Sequence, residues 1–260
     1  MSDERRTNLF SGERSHSYKK AIEGFAGVWK QDKQIMLDYL SPSPKDRVLE
    51  IGAGSGFFSF PIAEKIESTG VLHATEPSSD LLSTIEASNC ENIKTYCLEA
   101  EEVDSYIGQG SVNKIWSRGA FHHVRDKTKA MSAMRNTISS GGDLCLFDIF
   151  IEDATASFFD DFVAKSCTTG HEVSFLGREF ARSLCYLCGW QAPRFHALDV
   201  WWAFENDDSL GCFLLTLLSA KESYSRTDAV NAAYKHLAVK RSGDTTFLWW
   251  PMTLMRTTPA

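Results

Sequence analysis

Val48-Leu49-Glu50-Ile51-Gly52-Ala53-Gly54-Ser55-Gly56-Phe57 is an apolar run that enters a triple-glycine turn and resumes with the period of a helix. That order predicts a buried parallel strand, a turn able to cradle a nucleotide, and a helix N-terminus. Glycine belongs where the chain turns with left-handed dihedrals and where a Cβ would hold the backbone away from a ligand lying across the strand end. Glu50 stands inside the strand, where a carboxylate needs partners from an amide-rich or positively charged site. The next strand, 71–75, ends at Glu76-Pro77-Ser78. An acidic residue at that edge can accept both hydroxyls of a ribose. Glu50, Gly52, Ala53, Gly54, Gly56, Glu76 and Pro77 are therefore candidate cofactor-binding residues.

Outward from this stretch, strands at 47–51, 71–75, 93–97, 113–117 and 143–149 alternate with helices at 55–67, 78–88 and 126–139. Such alternation predicts right-handed crossovers and a doubly wound parallel sheet, an α/β Rossmann-like fold that collects ligands at the carboxyl ends of its strands. On the N-terminal side, residues 1–16 are polar and read as mobile. From Tyr18, the positions Tyr18, Ile22, Phe25, Trp29, Met36 and Leu40 follow helical spacing, with Gly24 and Gly27 weakening the middle, until Ser41-Pro42-Ser43-Pro44 stops the helix. On the C-terminal side, 153–188 reads as helical and aromatic, 191–204 as a strand, 207–239 as a helical pair and 246–254 as the last strand. The chain divides into an N-terminal helical cover (1–45), a cofactor-binding core (46–150) and the remaining strands with helical insertions (151–260), all in one domain.

Over about residues 46–150 the chain resembles the class I S-adenosylmethionine-dependent methyltransferases, through four motifs in the expected order. They are the glycine turn, Glu76, Cys97-Leu98-Glu99-Ala100-Glu101-Glu102-Val103, and Lys114-Ile115-Trp116-Ser117-Arg118-Gly119-Ala120-Phe121-His122-His123-Val124. The last is similar to the fourth strand and loop of the ubiquinone- and menaquinone-biosynthesis branch, the type 11-like enzymes, with the paired histidines as the branch-specific signal. The chain departs from the common pattern at Trp116 and Gly119-Ala120-Phe121. The resemblance implies S-adenosylmethionine as cofactor. It also implies a seven-stranded sheet whose last strand runs antiparallel beside the sixth, under a cover of helical insertions. Glu99, Ala100 and Glu101 would then clasp the adenine, and Ser117 and Arg118 would contribute to the cofactor wall, Arg118 mainly through its backbone.

Composition narrows the partners. The 260 residues are 43% hydrophobic, enough for one large core, and carry a net charge of -7 with a pI near 5.5. This balance lacks the positive field that nucleic-acid phosphates require, so a small-molecule acceptor is expected and nucleic acid is not. No apolar segment of membrane-spanning length and no signal pattern stands in the sequence, so a cytoplasmic protein without membrane insertion is expected. Composition does not give the oligomeric state. Seven cysteines fit a reducing compartment better than a disulfide framework. Cys167-x3-His171 with Cys185-x2-Cys188 offers four zinc ligands on paper, but their apolar helical surroundings favour cysteine as filler, and no metal is expected. An arsenic-methylating role would want cysteines in the cover, yet none precedes Cys90.

Methyl transfer from a sulfonium is a direct displacement, so the protein's task is to align the acceptor and exclude water. Where the acceptor carries a proton, histidine is the residue poised to take it near neutral pH. The first catalytic candidate is His171, in Thr168-Thr169-Gly170-His171-Glu172, followed by His122 and His123, whose adjacent side chains are expected to diverge. Asp148, at the end of the fifth strand, can orient an acceptor or accept backbone amides. Trp201-Trp202, Phe204 and Trp249-Trp250 fill a core or line a flat apolar acceptor pocket. The reading is a methyltransferase acting on a small apolar or aromatic molecule. Its alternatives are an enzyme of the same fold that uses the cofactor for cyclisation or elimination, and a non-catalytic cofactor-binding protein. A nicotinamide-dependent dehydrogenase shares the glycine turn but not the Glu99-Ala100-Glu101 and His122-His123 segments.

Overall fold

The computed structural model describes residues 11–170 and 173–260. In chain order the elements are α1 (Glu13–Gly24), α2 (Lys30–Leu40), β1 (Arg47–Ile51), α3 (Ser59–Ile66), β2 (Val71–Thr75), α4 (Ser79–Ala87) and β3 (Ile93–Tyr96). There follow α5 (Val103–Tyr106), β4 (Val112–Arg118), α6 (Lys127–Thr137), β5 (Ile138–Asp148), α7 (Ala154–Phe158), α8 (Ala164–Ser166), α9 (Arg178–Leu187) and β6 (Arg194–Leu198). The chain ends with β7 (Trp201–Phe204), α10 (Asp207–Leu217), α11 (Arg226–His236), β8 (Val239–Ser242), β9 (Thr245–Trp249) and β10 (Met252–Thr257).

Seven strands form one sheet in the order β3-β2-β1-β4-β5-β10-β6, with β1 to β5 paired in parallel and β10 antiparallel to both β5 and β6. The expected Rossmann-like sheet is present, with its antiparallel last strand between the fifth and sixth. Four of the five residues of β1 are buried, because helices cover both faces of the sheet. Strand alternation sends Val48 to one face and Leu49 to the other, into separate cores. The Val48 face packs on α1 and α2 through Ile22, Trp29, Met36 and Leu40, and continues into Trp202, Phe213 and Leu248. The Leu49 face packs on α6 and α9 through Met131, Met134, Leu184 and Cys185. Helix starts follow capping chemistry: Ser78 Oγ accepts the Leu81 amide at 3.3 Å and Asp126 Oδ1 accepts the Lys129 amide at 2.9 Å.

Four expectations are corrected. The helix read from Tyr18 to Leu40 is two helices, α1 and α2, separated between Gly24 and Lys30, the stretch containing Gly27. The helix expected at 55–67 starts only at Ser59, because the glycine turn extends further. The strand read at 191–204 is two strands, β6 in the large sheet and β7 in a second sheet of order β7-β9-β8. The last strand is likewise split into β9 and β10 at Trp250-Pro251, where proline cannot donate to a ladder. A uniform apolar run hides this break, since both strands bury side chains against the same core. Among the described residues no helix is long and apolar enough to cross a membrane.

Candidate active site

The strand order reverses between β1 and β4, and the carboxyl ends of β1, β2, β4 and β5 meet there. The amides of Gly52 and Ala53 both donate to the Thr75 carbonyl at 2.9 Å, which fastens the glycine turn to the end of β2. Gly52 has φ of +72°, and a Cβ on it would fall 2.3 Å from the Ala120 Cβ, so only glycine fits this close approach. Gly56 serves packing instead: a Cβ there would stand 2.7 Å from Ile85 of α4. Two carboxylates are buried beside the turn. Glu76 accepts the Gly54 amide on one oxygen and the Ser78 amide on the other, both at 3.0 Å. Glu50 accepts from Ser59 Oγ at 2.5 Å.

Burial pushes the Glu50 carboxyl up to about 8, against the Ser59 hydrogen bond, and the Glu76 carboxyl up to about 7, against the two amides. Both oxygens of Glu76 keep accepting capacity after the two amides, and the residue lines a chamber of about 460 Å³. With Glu76, the residues Gly52, Pro77, Leu98, Glu99, Ala100, Ala120 and His123 wall this space. A polar end at Glu76 and an apolar slot between Pro77, Leu98 and Ala100 make a site matched to a nucleoside. The other candidates shape it from behind: Gly54 supplies an amide, and Ser117 Oγ ties β4 to the Ile51 carbonyl at 2.9 Å. Glu101 turns to the neighbouring loop, where its Oε1 accepts the Asp126 amide at 2.9 Å.

A second chamber, about 690 Å³, lies beside the first and shares His123 with it. Its walls include Arg14 and Tyr18 from α1, Trp29, Arg118, His122, Ile149, Phe159, Trp202, Leu217 and Trp250. Arg118, expected to contribute mainly backbone to the cofactor wall, is also among the residues lining this chamber. The guanidinium is ion-paired to the fully buried Asp32 and lies 4.7 Å from the Trp29 ring centroid. Asp32 also accepts from Trp202 Nε1 at 2.8 Å, so one acid joins α2, β4 and β7. Burial raises the Asp32 carboxyl, opposed chiefly by the Arg118 charge, and burial pushes the Tyr18 phenol up to about 12.

Asp148 grips His122 twice, accepting from the His122 amide at 3.1 Å and pairing with its Nδ1 at 2.5 Å. It also accepts the Ile149 amide at 2.7 Å. The expected divergence of the two histidines is not found: their ring centroids lie 4.2 Å apart with planes tilted by 54°. The short 3₁₀ turn Phe121–His123 keeps neighbouring side chains close. His171 and Glu172 lie outside the described residues. The cysteines of the zinc pattern separate, Cys167 into one core and Cys185 with Cys188 into the other.

Sequence reasoning missed Arg14, Asp32, Leu217 and Met252. Asp32 left a readable signal, since it stands three residues after Trp29 and four before Met36 on a face that is otherwise apolar. The other three are brought to the site by tertiary structure alone.

Comparison with known proteins shows what the chain is similar to. Residues 49–144 match the family model described as a methyltransferase domain. A curated relative, phosphoethanolamine N-methyltransferase 1 of Arabidopsis thaliana, is 30% identical over 108 residues, which are 41% of this chain and 21% of that protein. The matched stretch therefore spans about a fifth of the relative's length. Among solved structures, a phosphoethanolamine N-methyltransferase 2 of Haemonchus contortus, in complex with phosphomonomethylethanolamine and S-adenosylhomocysteine, superposes with a TM-score of 0.64 at 12% identity, covering 96% of this chain and 58% of that one. A putative methyltransferase of Bacillus halodurans gives a TM-score of 0.62 at 15% identity, covering 88% of this chain and 99% of that one.

Proposed function

We propose that this chain, which carries a methyltransferase domain on the class I S-adenosylmethionine-dependent fold, methylates a small, largely apolar acceptor. The observation that carries this reading is the pair of adjoining chambers with His123 as their common wall, one matched to a nucleoside and one lined with aromatic rings. S-adenosylmethionine supplies a methyl group already activated on a sulfonium. Glu76 would accept the ribose hydroxyls, Gly52 and Ala53 would let the backbone approach, and Pro77, Glu99 and Ala100 would enclose the adenine, with Glu101 bracing that segment. Glu50, buried with the Ser59 hydroxyl donating to it, would favour the cationic end of the cofactor. Gly54, Gly56, Ser117 and the Arg118 backbone would hold the shape of the wall.

In the second chamber Tyr18, Trp29 and Trp250 would roof the acceptor against water. Asp148 holds Nδ1 of His122, which leaves Nε2 to take a proton from an acceptor hydroxyl or ammonium. His123, between the chambers, would align the acceptor with the transferred methyl. The recessed, ring-lined site and the net charge of -7 favour a small molecule over nucleic acid. The test is calorimetry with S-adenosylhomocysteine, followed by an acceptor screen read by mass spectrometry. Saturable binding and a one-carbon gain on an acceptor support the reading. Absence of binding overturns it, and cofactor consumption without a methylated product assigns cyclisation or elimination instead.

A further inference from the structure

The first half of α1 spans the two chambers, and its contacts sort into two stripes. Gly12, Ser15 and Lys19, at helical spacing, meet the first turns of α4. The Oδ2 of Asp80 accepts the Gly12 amide at 2.9 Å and lies 3.3 Å from the Ser15 hydroxyl, which also reaches the Gly12 carbonyl at 2.8 Å. The Lys19 ammonium donates to the Asp80 carbonyl and reaches the Ser83 hydroxyl at 3.4 Å. Arg14 and Tyr18, one turn apart, line the second chamber instead. Arg14 donates to Cys167 Sγ at 2.7 Å and to the Thr169 hydroxyl. The Tyr18 ring lies against the glycine turn, its Cε1, Oη and Cζ atoms 3.4 to 3.8 Å from where a Gly54 Cβ would stand. The second half of the helix is held differently: Ala21 and Ile22 are buried, and the Phe25 ring that follows meets Phe213 at 5.2 Å. Exposed polar contacts exchange with water more readily than buried apolar ones, so the first half is the part built to open locally.

We infer that Asp80 is a positioning residue that latches the first half of α1 over the glycine turn, and that cofactor enters and product leaves when this latch releases. The inference rests on the reading of the first chamber as the cofactor site. Glu50 and Glu76 are only 2% and 5% exposed, so a ligand that reaches both must pass a seal. Tyr18 forms that seal beside Gly54, whose amide Glu76 holds, and it stands between Ser15 and Lys19 in the chain, so it moves with them. Asp80 itself lines neither chamber. Weakening the latch therefore speeds entry and exit alike, without removing a contact to the ligand.

Stopped-flow tryptophan fluorescence on the full chain gives both rates for S-adenosylhomocysteine. Asp80→Ala should raise association and dissociation together, each by about 3- to 10-fold, with Kd within about twofold of the parent. Lys19→Met, which cuts the other strand of the latch, should move both rates in the same direction. Asp80→Asn keeps the accepting oxygen and should return both rates to within about twofold of the parent. Hydrogen exchange read by mass spectrometry supplies a second measure. The amides of residues 16–20 should exchange faster in Asp80→Ala, and slower in the parent once S-adenosylhomocysteine is bound. Faster dissociation with association unchanged would assign Asp80 to the bound geometry rather than to a gate, and overturns the inference. Unchanged rates, or an Asp80→Asn variant as fast as Asp80→Ala, overturn it as well. A parent protein that binds no S-adenosylhomocysteine is a separate result, seen in its own titration, which removes the cofactor reading and this inference with it.

Discussion

The two chambers differ in how they are built. The first is a backbone site: amides of the glycine turn and of Ser78 fix one carboxylate, and its walls come from short contiguous segments at neighbouring strand ends. The second is a side-chain site, assembled from positions as far apart as Arg14 and Met252 and held by aromatic contacts and by the buried pairs Arg118–Asp32 and His122–Asp148. A backbone site tolerates little variation, because its geometry is the turn itself. A side-chain site can be retuned by single substitutions, which suits the half of an enzyme that selects its acceptor.

The hardest blow to the first chamber is Gly52→Val. A branched side chain at φ of +72°, into space where even a Cβ would reach 2.3 Å from Ala120, should abolish detectable S-adenosylhomocysteine binding in calorimetry. Gly52→Ala with Ala120→Gly relieves the collision but not the dihedral strain, so melting temperature should recover further than affinity does. Equal recovery of both would mean the turn is needed only for packing.

Next in size is Glu76→Ala, expected to weaken cofactor affinity by about 2 to 4 kcal/mol, since it removes both the acceptor of the ligand and the clamp on the Gly54 and Ser78 amides. The chambers respond differently if they are separate devices: binding of an apolar aromatic probe in the second chamber should change little in this variant. Parallel loss of both affinities would erase the distinction.

These two sites were not equally legible in the sequence. Glu50, Gly52, Gly54, Gly56 and Glu76 announce the first chamber because turn glycines and strand-end acids are local features, read within a few residues. The parallel sheet was legible for the same reason. The weak point at Gly24 and Gly27 was legible, whereas the break at Pro251 and the small sheet of β7, β8 and β9 were hidden because split and continuous strands have the same apolar pattern when they share a core. The second chamber was legible only as a surplus of aromatic residues. Which of them meet depends on how α1, α2 and the β7-β9-β8 sheet fold over β4 and β5, and no local pattern encodes that.

Asp148→Asn probes the joint between chambers. Losing the grip on His122 Nδ1 should depress kcat by about 10²-fold with cofactor affinity preserved, and His122→Gln should do the same. His171→Ala serves as the control. A comparable loss in His171→Ala, with none in His122→Gln, would move the base to the residue that first drew attention in the sequence.

The pH response should separate the chambers further. Glu76 rises on folding from an ordinary 4.5 to about 7 and Glu50 to about 8. A raised carboxyl pKa means the folded protein holds its proton more tightly, so this contribution to stability is full below 4.5 and is lost as pH rises through 7 to 8. The ligand-free melting temperature should therefore fall over that window. A cofactor that donates hydrogen bonds to the ionised carboxylate releases the proton, so affinity should climb by about tenfold between pH 5 and 8. In Glu76→Gln the climb should shrink. A flat profile in the parent protein would show that Glu76 is ionised before the ligand arrives.

The smallest expected effect belongs to Trp250→Phe. The Trp250 ring stacks on Trp202 at 4.5 Å with planes 16° apart and meets Phe159 at 6.1 Å, so the smaller ring keeps the apolar wall and gives up much of one stacked face. Its backbone amide still donates to the Val200 carbonyl at 2.8 Å, which keeps the β9 to β10 turn in place. Aromatic pairs contribute about 0.5 to 1.5 kcal/mol beyond area, so KM for the acceptor should rise by about 2- to 10-fold. The cofactor Kd should stay within about twofold of the parent, because Trp250 walls the second chamber and is not among the residues lining the first. A change in cofactor Kd with acceptor KM unmoved would show that the rings over the acceptor side support the turn beneath them, and that the two chambers answer as one unit.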